Sequence, residues 1–330
     1  MIEPLIQRAV RHPDRTALVY QDQTLSYAEL LEQVNRFARA LSRLGVGAAD
    51  RVGYVLENRL EIVAVFYAIQ AIGAVAVPIN IRSIAPEIAC LSRAVGAKAV
   101  VYSKLRREQV AEAEKEMGRV ELICVDPLPG GQDLPTLAED ESSAEFSGPR
   151  ATTALSRIQF TGGSTGTPKG AMRTHQADLI NIDGTAQACF LTGAEPKTVL
   201  IQCPLEHHGG HAWLTASIAF GATVVICGAF DPQRVLQAIE RHRVTHAIML
   251  PPTTYLRLME YPDIDRYDLS SLRVLQTSAG AASKHFVAQV YRHFPNCLIN
   301  YGWGQTESGL GSTLVLSRGL LAKDDPKLGS

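Results

Sequence analysis

The chain has 330 residues, of which 46% are hydrophobic and 20% charged, the composition of a globular protein of one or two domains with a large core. Lys and Arg total 32 against 33 Asp and Glu, a net charge of -1. That balance excludes a long-range field able to gather nucleic acid or an acidic membrane surface, so any anion must be bound locally. Six cysteines, at 90, 124, 189, 203, 227 and 297, form no CxxC pair, and several sit in aliphatic, strand-like runs. A reducing, cytoplasmic setting is expected.

The opening MIEPLIQRAVRHPD carries charge throughout and offers neither a signal-peptide core nor a small-residue cleavage site. Ser26 and Glu29 form a capping-box signature ahead of Tyr27, Leu30, Val34, Phe37, Leu41 and Leu44, with Gly45 after them, which predicts an amphipathic helix. Alternation follows: strand 51–55, helix 60–71, strand 74–77, helix 84–95, strand 98–101, helix 104–117 and strand 121–124. A Pro-, Gly- and Ser-rich stretch, 126–150, interrupts it as a surface excursion. The rhythm resumes with strand 155–160, helix 175–188, strand 198–201, helix 211–219, strand 222–226, helix 231–241, strand 245–249, helix 252–260, strand 273–275, helix 283–294 and strand 298–301. Such alternation implies α/β architecture with mainly parallel sheet. Segments 62–81 and 212–230 are nearly free of charge. Pro78 and Asn80 in the first, and Gly221 followed by β-branched residues in the second, make each a buried helix and strand rather than a membrane span.

The segment Phe160-Thr-Gly-Gly-Ser-Thr-Gly-Thr-Pro-Lys-Gly170 is a glycine- and hydroxyl-rich loop directly after an apolar strand. Glycines let backbone N–H groups approach an anion, and Ser164, Thr165 and Thr167 add donors suited to phosphate oxygens. It lacks the Gly-Lys-Ser/Thr ending of a P-loop, because Pro168 precedes Lys169 and Gly170 follows. Three further segments stand out: Pro204-Leu-Glu-His-His-Gly-Gly-His211, Ser278-Ala-Gly-Ala-Ala282 and Tyr301-Gly-Trp-Gly-Gln-Thr-Glu307. His207 and His211 invite a metal reading, but Gly209 and Gly210 disfavour the helix that would align them and no third ligand is evident.

The first loop resembles the phosphate-binding loop of the adenylate-forming (AMP-binding) superfamily, which includes acyl-CoA synthetases, aryl-CoA ligases and peptide-synthetase adenylation domains. HPDRTALVY, GVGAADRVGYVLEN and AIGAVAVPIN fall in the order and spacing of that family's amino-terminal half. The resemblance implies the large N-terminal lobe of the adenylate-forming fold, two packed α/β sheets in layers with mostly parallel strands, and the C-terminal lobe absent. It divides the chain into a first subdomain over 51–195 with the phosphate loop, a second over 15–50 plus 196–312, and the start of a connection over 313–330.

By the same resemblance Thr161, Gly162, Gly163, Ser164, Thr165, Gly166, Thr167 and Lys169 hold phosphate, with Gly162 standing where the family commonly has Ser. Tyr301, Gly302, Trp303, Gly304 and Gln305 belong to the nucleotide site, Trp303 taking the aromatic position against adenine. Thr306 contacts the α-phosphate and Glu307 coordinates magnesium. Gly280, Ala281 and Ala282 form the turn against the base, Ala282 replacing the usual Pro. His207 aligns with a histidine beside the acyl and pantetheine channels, where Glu206 replaces the common aromatic and disfavours a long aliphatic substrate. Acyl-pocket candidates are His207, Trp213, Thr254, Ala279, Gly302 and Leu310.

The implied activity is ATP-dependent activation of a carboxylic acid as acyl-adenylate followed by transfer to CoA, an acid–thiol ligase using ATP, Mg²⁺ and CoA. Its partners are those small molecules, with no nucleic acid, no membrane span and scope for a homodimer. Two other readings stay open: an adenylation enzyme that loads a carrier protein, and a catalytically inactive nucleotide- or acyl-binding protein. The family's ribose-binding aspartate, hinge residue and mobile-lobe lysine are not found before Ser330. A truncated or proteolysed lobe with little or no turnover is therefore expected.

Overall fold

The computed structural model describes residues 1–130, 133–149, 151–162 and 168–319. It divides into two compact units: Met1–Arg15, Leu25–Ile180 and Leu205–His208 form the first, and Thr16–Thr24, Asn181–Pro204 and Gly209 onward form the second.

In chain order the elements begin with α1 (Glu3–Arg11), β1 (Thr16–Tyr20), β2 (Gln23–Ser26) and α2 (Tyr27–Arg43). There follow β3 (Arg51–Val55), α3 (Leu60–Ile72), β4 (Val75–Pro78), α4 (Ala85–Val95), β5 (Ala97–Tyr102), α5 (Arg107–Met117), β6 (Glu121–Cys124) and α6 (Leu134–Ala138). Next are β7 (Leu155–Thr161), β8 (Lys169–Thr174), α7 (His175–Ala188), β9 (Thr198–Ile201), α8 (His208–Ala219), β10 (Thr223–Ile226) and α9 (Pro232–Arg241). The chain continues through β11 (His246–Ile248), α10 (Pro252–Met259), β12 (Val274–Thr277), α11 (Lys284–His293), β13 (Leu298–Gln305) and β14 (Gly309–Leu316).

The capping box forms as its residues predict: the Glu29 N–H donates to Ser26 Oγ at 3.2 Å and the Ser26 N–H donates to the Glu29 carboxylate at 2.7 Å. Leu30, Val34 and Leu41 of α2 are then fully buried on one face. This helix clusters with the first unit, whereas the resemblance groups it with residues 196–312. The first charge-poor segment is α3 followed by the wholly buried β4, and the second is α8 followed by β10. Among the described residues no helix is long and apolar enough to cross a membrane.

The first unit carries a six-stranded sheet in the order β6-β5-β3-β4-β7-β8, parallel except for the antiparallel β7–β8 pair. Ile88, Val100 and Val110 lie in its core. The second carries an eight-stranded sheet, β14-β13-β12-β11-β9-β10-β1-β2, in which β1 and β9 to β13 pair in parallel and β13–β14 is antiparallel. Leu236, Tyr255 and Phe286 lie in its core.

Two differences from the sequence reading matter for the site. Strands β8 and β14, rich in Gly, Ser, Thr and charge, carry no apolar alternation, yet each closes a hairpin whose other strand bears a motif. Helix α8 starts at His208 and includes Gly209 and Gly210, so those glycines do not break it. A first helical turn has no intrahelical partners for its N–H groups, which makes glycine less costly there than in mid-helix.

Candidate functional site

Strand alternation builds the first part of the site. In β7 the period of two places Arg157, Gln159 and Thr161 on one face and Ile158 and Phe160 on the other. The pairing Phe160 with Gly170 and Thr161 with Lys169 makes the glycine-rich segment the connection of an antiparallel hairpin. A Cβ on Gly170 would meet Ile158 Cγ2 at 2.8 Å, so that position has no room for a side chain. Gly163, Ser164, Thr165, Gly166 and Thr167 lie outside the described residues. At the loop's edges, the Thr161 hydroxyl donates to the Lys169 carbonyl at 3.5 Å, Lys169 is exposed, and a Cβ on Gly162 would meet nothing within 4 Å.

Thr161 and Gly162 open onto a cavity of about 650 Å³ in the first unit, whose polar lining includes Asn80, Arg82, Gln159, Glu206 and His207. The Asn80 Oδ1 accepts the Arg82 N–H at 2.8 Å, so its Nδ2 is the donor to His207 Nε2 at 3.3 Å. His207 is exposed, and with Nε2 accepting, its neutral ring carries the proton on Nδ1.

Behind this wall lies a buried charge network that sequence reasoning missed. Arg157, Arg173 and Asp178 are 1%, 4% and 3% exposed. The Asp178 carboxylate accepts from Arg157 Nε at 3.3 Å and Nη2 at 3.2 Å, from Arg173 Nε, and from the Ser156 hydroxyl. Arg157 Nη2 also donates to His208 Nδ1 at 2.7 Å, which puts the His208 proton on Nε2. Burial, then the charge of Arg157, push the His208 pKa down to about 3, so the ring is neutral at physiological pH. Its Nε2 has no partner among the described residues. The Gln159 amide donates to the Glu206 carbonyl at 3.0 Å, and the Leu205 N–H donates to Asn58 Oδ1 at 2.8 Å. Residues 205–208 are thus tied down at three points. The signal for this lay in Arg157 and Gln159, a charge and an amide at alternate positions of a largely buried strand.

The second unit brings two motifs together. The Tyr301 hydroxyl donates to the Gly280 carbonyl at 2.9 Å, joining the 278–282 turn to β13. That turn also packs on Pro251 and Pro252, at 3.3 and 3.4 Å from a Cβ placed on Gly280. Ala279 holds φ at 58°, a left-handed conformation that strains a residue with a side chain. Ala281 is exposed, whereas Ala282 is buried in the core cluster beneath.

Along the hairpin, Trp303 pairs opposite Ser312 and is 56% exposed, its indole lying across Gly311. Gly302 lies so close to Gln276 and Leu310 that a Cβ on it would meet them at 2.8 and 3.1 Å, and a Cβ on Gly304 would meet the Gly309 carbonyl at 2.5 Å. Thr306 is half-buried and Glu307 exposed in the turn after Gln305. Trp213 on α8 and Thr254 on α10 are buried, and the Thr254 hydroxyl is spent on the Leu250 carbonyl at 3.2 Å.

Among the described residues no group of three His, Cys, Asp or Glu could hold a metal unaided. Mg²⁺ takes one or two carboxylates plus substrate phosphates, and Glu307 is an exposed carboxylate of the type such a site would use.

The chain belongs to the AMP-binding enzyme family, whose match runs over residues 5–330. It is 33% identical to a feruloyl-CoA synthase of Amycolatopsis sp over 98% of its own length and 62% of the relative's. It is 30% identical to a medium/long-chain-fatty-acid–CoA/3-oxocholest-4-en-26-oate–CoA ligase of Mycolicibacterium smegmatis, over 96% of its length and again 62% of the relative's. The chain therefore spans less than two thirds of either. Its fold matches the crystal structure of the N-terminal domain of FACL13 from Mycobacterium tuberculosis with a TM-score of 0.87 at 25% identity, covering 97% of this chain and 79% of that one. The architecture is accordingly the N-terminal lobe of the adenylate-forming fold.

Proposed function

We propose that this chain binds ATP with magnesium and a carboxylic acid, and activates the acid as an acyl-adenylate within an acyl-CoA ligase. The reaction is in-line attack of the carboxylate on the α-phosphorus with pyrophosphate leaving, followed by attack of the CoA thiol and loss of AMP. The nucleophile is already ionised at neutral pH, so the first step calls for positioning and charge neutralisation rather than a general base.

In this reading the 161–170 loop, with Thr161, Gly162 and Lys169 at its edges, holds the leaving phosphates through backbone N–H groups and hydroxyls. Trp303 offers its exposed indole face to the base, and the Gly280 turn, fixed by Tyr301, lies beside it. Thr306 donates to a nonbridging oxygen of the α-phosphate as charge develops. Glu307 would hold Mg²⁺, which supplies charge neutralisation across the phosphates. His207, with Nδ1 carrying the proton, stands on the wall of the cavity that takes acid or CoA. The free thiols of all six cysteines suit the reducing, cytoplasmic setting proposed for such an enzyme.

The observation that carries the reading is the Tyr301–Gly280 hydrogen bond, because it locks two separate glycine-rich motifs into one small-residue surface beside an exposed tryptophan. ATP–pyrophosphate exchange by the full-length protein against aliphatic, aromatic and amino acids tests it. Exchange with one class of acid is expected. Silence across the panel would leave a binding protein in place of an enzyme.

A further inference from the structure

The wall of the first-unit cavity contains a charged group whose presence there demands a physical reason. Glu206 is only 4% exposed, yet it lines a space of about 650 Å³ together with Phe160, Pro78 and Leu91. Burial raises its carboxyl pKa against the opposing influence of His207 and Arg82. A carboxylate offers about four lone-pair directions to whatever fills the cavity.

The backbone that carries the carboxylate is held in place. Leu205, Glu206 and His208 are each anchored by a different side chain, Asn58, Gln159 and Arg157 respectively. The last of these is buried against Asp178. A segment fixed at 205, 206 and 208 keeps the backbone of Glu206 at the cavity wall when a ligand enters. An alkyl chain passing Glu206 would strip water from the group and return nothing. Arg82 and Glu87, of opposite charge, share that lining, so a local hydrogen-bond donor rather than a net field is what the Glu206 carboxylate calls for.

We propose that Glu206 is a specificity-determining residue whose carboxylate accepts a hydrogen bond from a neutral donor, a hydroxyl or an amide N–H, on the ligand that occupies this cavity. The chemistry is common to a hydroxylated acid and to the amide-bearing pantetheine arm of CoA. The inference rests on the adenylate-forming reading for that choice of ligands, while the placement of Glu206 does not. A site with a buried acceptor rejects a ligand lacking the donor more strongly than an apolar pocket rejects an added hydroxyl.

The test is calorimetric binding of 4-hydroxybenzoate, benzoate and pantetheine to the wild-type chain, E206Q and E206L. A donor bonded to a charged acceptor is expected to contribute roughly ten- to hundredfold in affinity. E206L should therefore lose that factor for 4-hydroxybenzoate, for pantetheine, or for both, while benzoate binds equally or better. Loss for the hydroxy acid identifies the acid as occupant, and loss for pantetheine identifies the acceptor arm. E206Q, similar in size and retaining a neutral acceptor oxygen, should fall between, and it serves if E206L fails to fold. The inference is overturned if the wild type binds neither donor-bearing probe, or if affinities and preferences are unchanged in both variants. Absence of pyrophosphate exchange alongside a Glu206-dependent preference would instead remove the enzymatic reading and leave Glu206 as the selector.

Discussion

Removing the Asp178 carboxylate should be far more damaging than removing one of the two arginines it serves. Its side chain is 3% exposed and accepts from Arg157, Arg173 and Ser156. In Asp178→Ala both guanidinium groups stay buried without it, and breaking a buried pair from one side costs about 3–5 kcal/mol. Arg157→Met leaves the Arg173–Asp178 pair intact and orphans only His208 Nδ1 and Gln159 Oε1. Each neutral acceptor so stranded costs about 1–3 kcal/mol, against about 3–5 kcal/mol for each of the two charges that Asp178→Ala strands. Both tryptophans, Trp213 and Trp303, belong to the second unit, so indole fluorescence reports the wrong region. Hydrogen exchange of peptides from β3 and β7, read against urea concentration, reports the right one. The reasoning is refuted if Asp178→Ala proves milder than Arg157→Met, or stays within about 1 kcal/mol of the wild type, well below the cost of an uncompensated buried charge.

Acid should destabilise the fold partly through His208, whose pKa of about 3 lies below the ordinary 6.5. The unfolded chain takes up that proton first, so this stability is complete above the unfolded value and is lost as pH falls toward the folded one, at up to about 1.4 kcal/mol per pH unit. His208→Gln, which can still accept from Arg157, should reduce the loss between about pH 6 and 5 by about 1 kcal/mol in urea titrations, and an unchanged slope would show that the ring is not held neutral. Tyr301→Phe deletes the bond to Gly280 and should weaken ATP binding about fivefold, the equivalent of about 1 kcal/mol. Calorimetry showing unaltered affinity would separate that turn from the nucleotide. Gly304→Ala places a Cβ 2.5 Å from the Gly309 carbonyl and should open the β13–β14 hairpin, with faster exchange confined to 298–316. The cost expected for such overpacking is about 1–3 kcal/mol.

The elements legible in the sequence were those whose own residues dictate them. Apolar periodicity and the Ser26–Glu29 box place α2, and continuous aliphatic runs place β3, β4, β5 and β10 as buried parallel strands. Strands β8 and β14 were not legible, because they exist through their partners. Lys169–Thr174 carries two charges and Gly309–Leu316 opens on Gly-Leu-Gly-Ser-Thr, and the antiparallel ladder to a motif-bearing strand holds both extended. That same ladder carries β13 past Tyr301 to Gln305, beyond the end its composition suggested. The placement of α2 in the first unit was hidden for a related reason: it depends on which neighbour buries its apolar face, a fact no single helix encodes.

The site divides along the same line. Motifs contiguous in the chain, such as 161–170 and 301–307, announce themselves because anion binding needs several backbone N–H groups from one short stretch. The supports do not. Arg157 reaches Asp178 across 21 residues and His208 across 51, and His207 meets Asn80 across 127. Each partner looks ordinary alone, a helix aspartate or a spare histidine. Their meaning follows from strand parity: with Arg157 and Gln159 two residues apart on β7, their side chains share a face, and that face meets residues 206–208. A charged residue and an amide at alternate positions of a buried strand need buried partners, since the alternative is an unpaired charge in the core. The polar wall at Glu206 is therefore not an isolated replacement for an aromatic residue. It is the cavity-facing end of a polar network that begins inside the sheet, and altering Arg157 should change what the cavity accepts even though Arg157 does not line it.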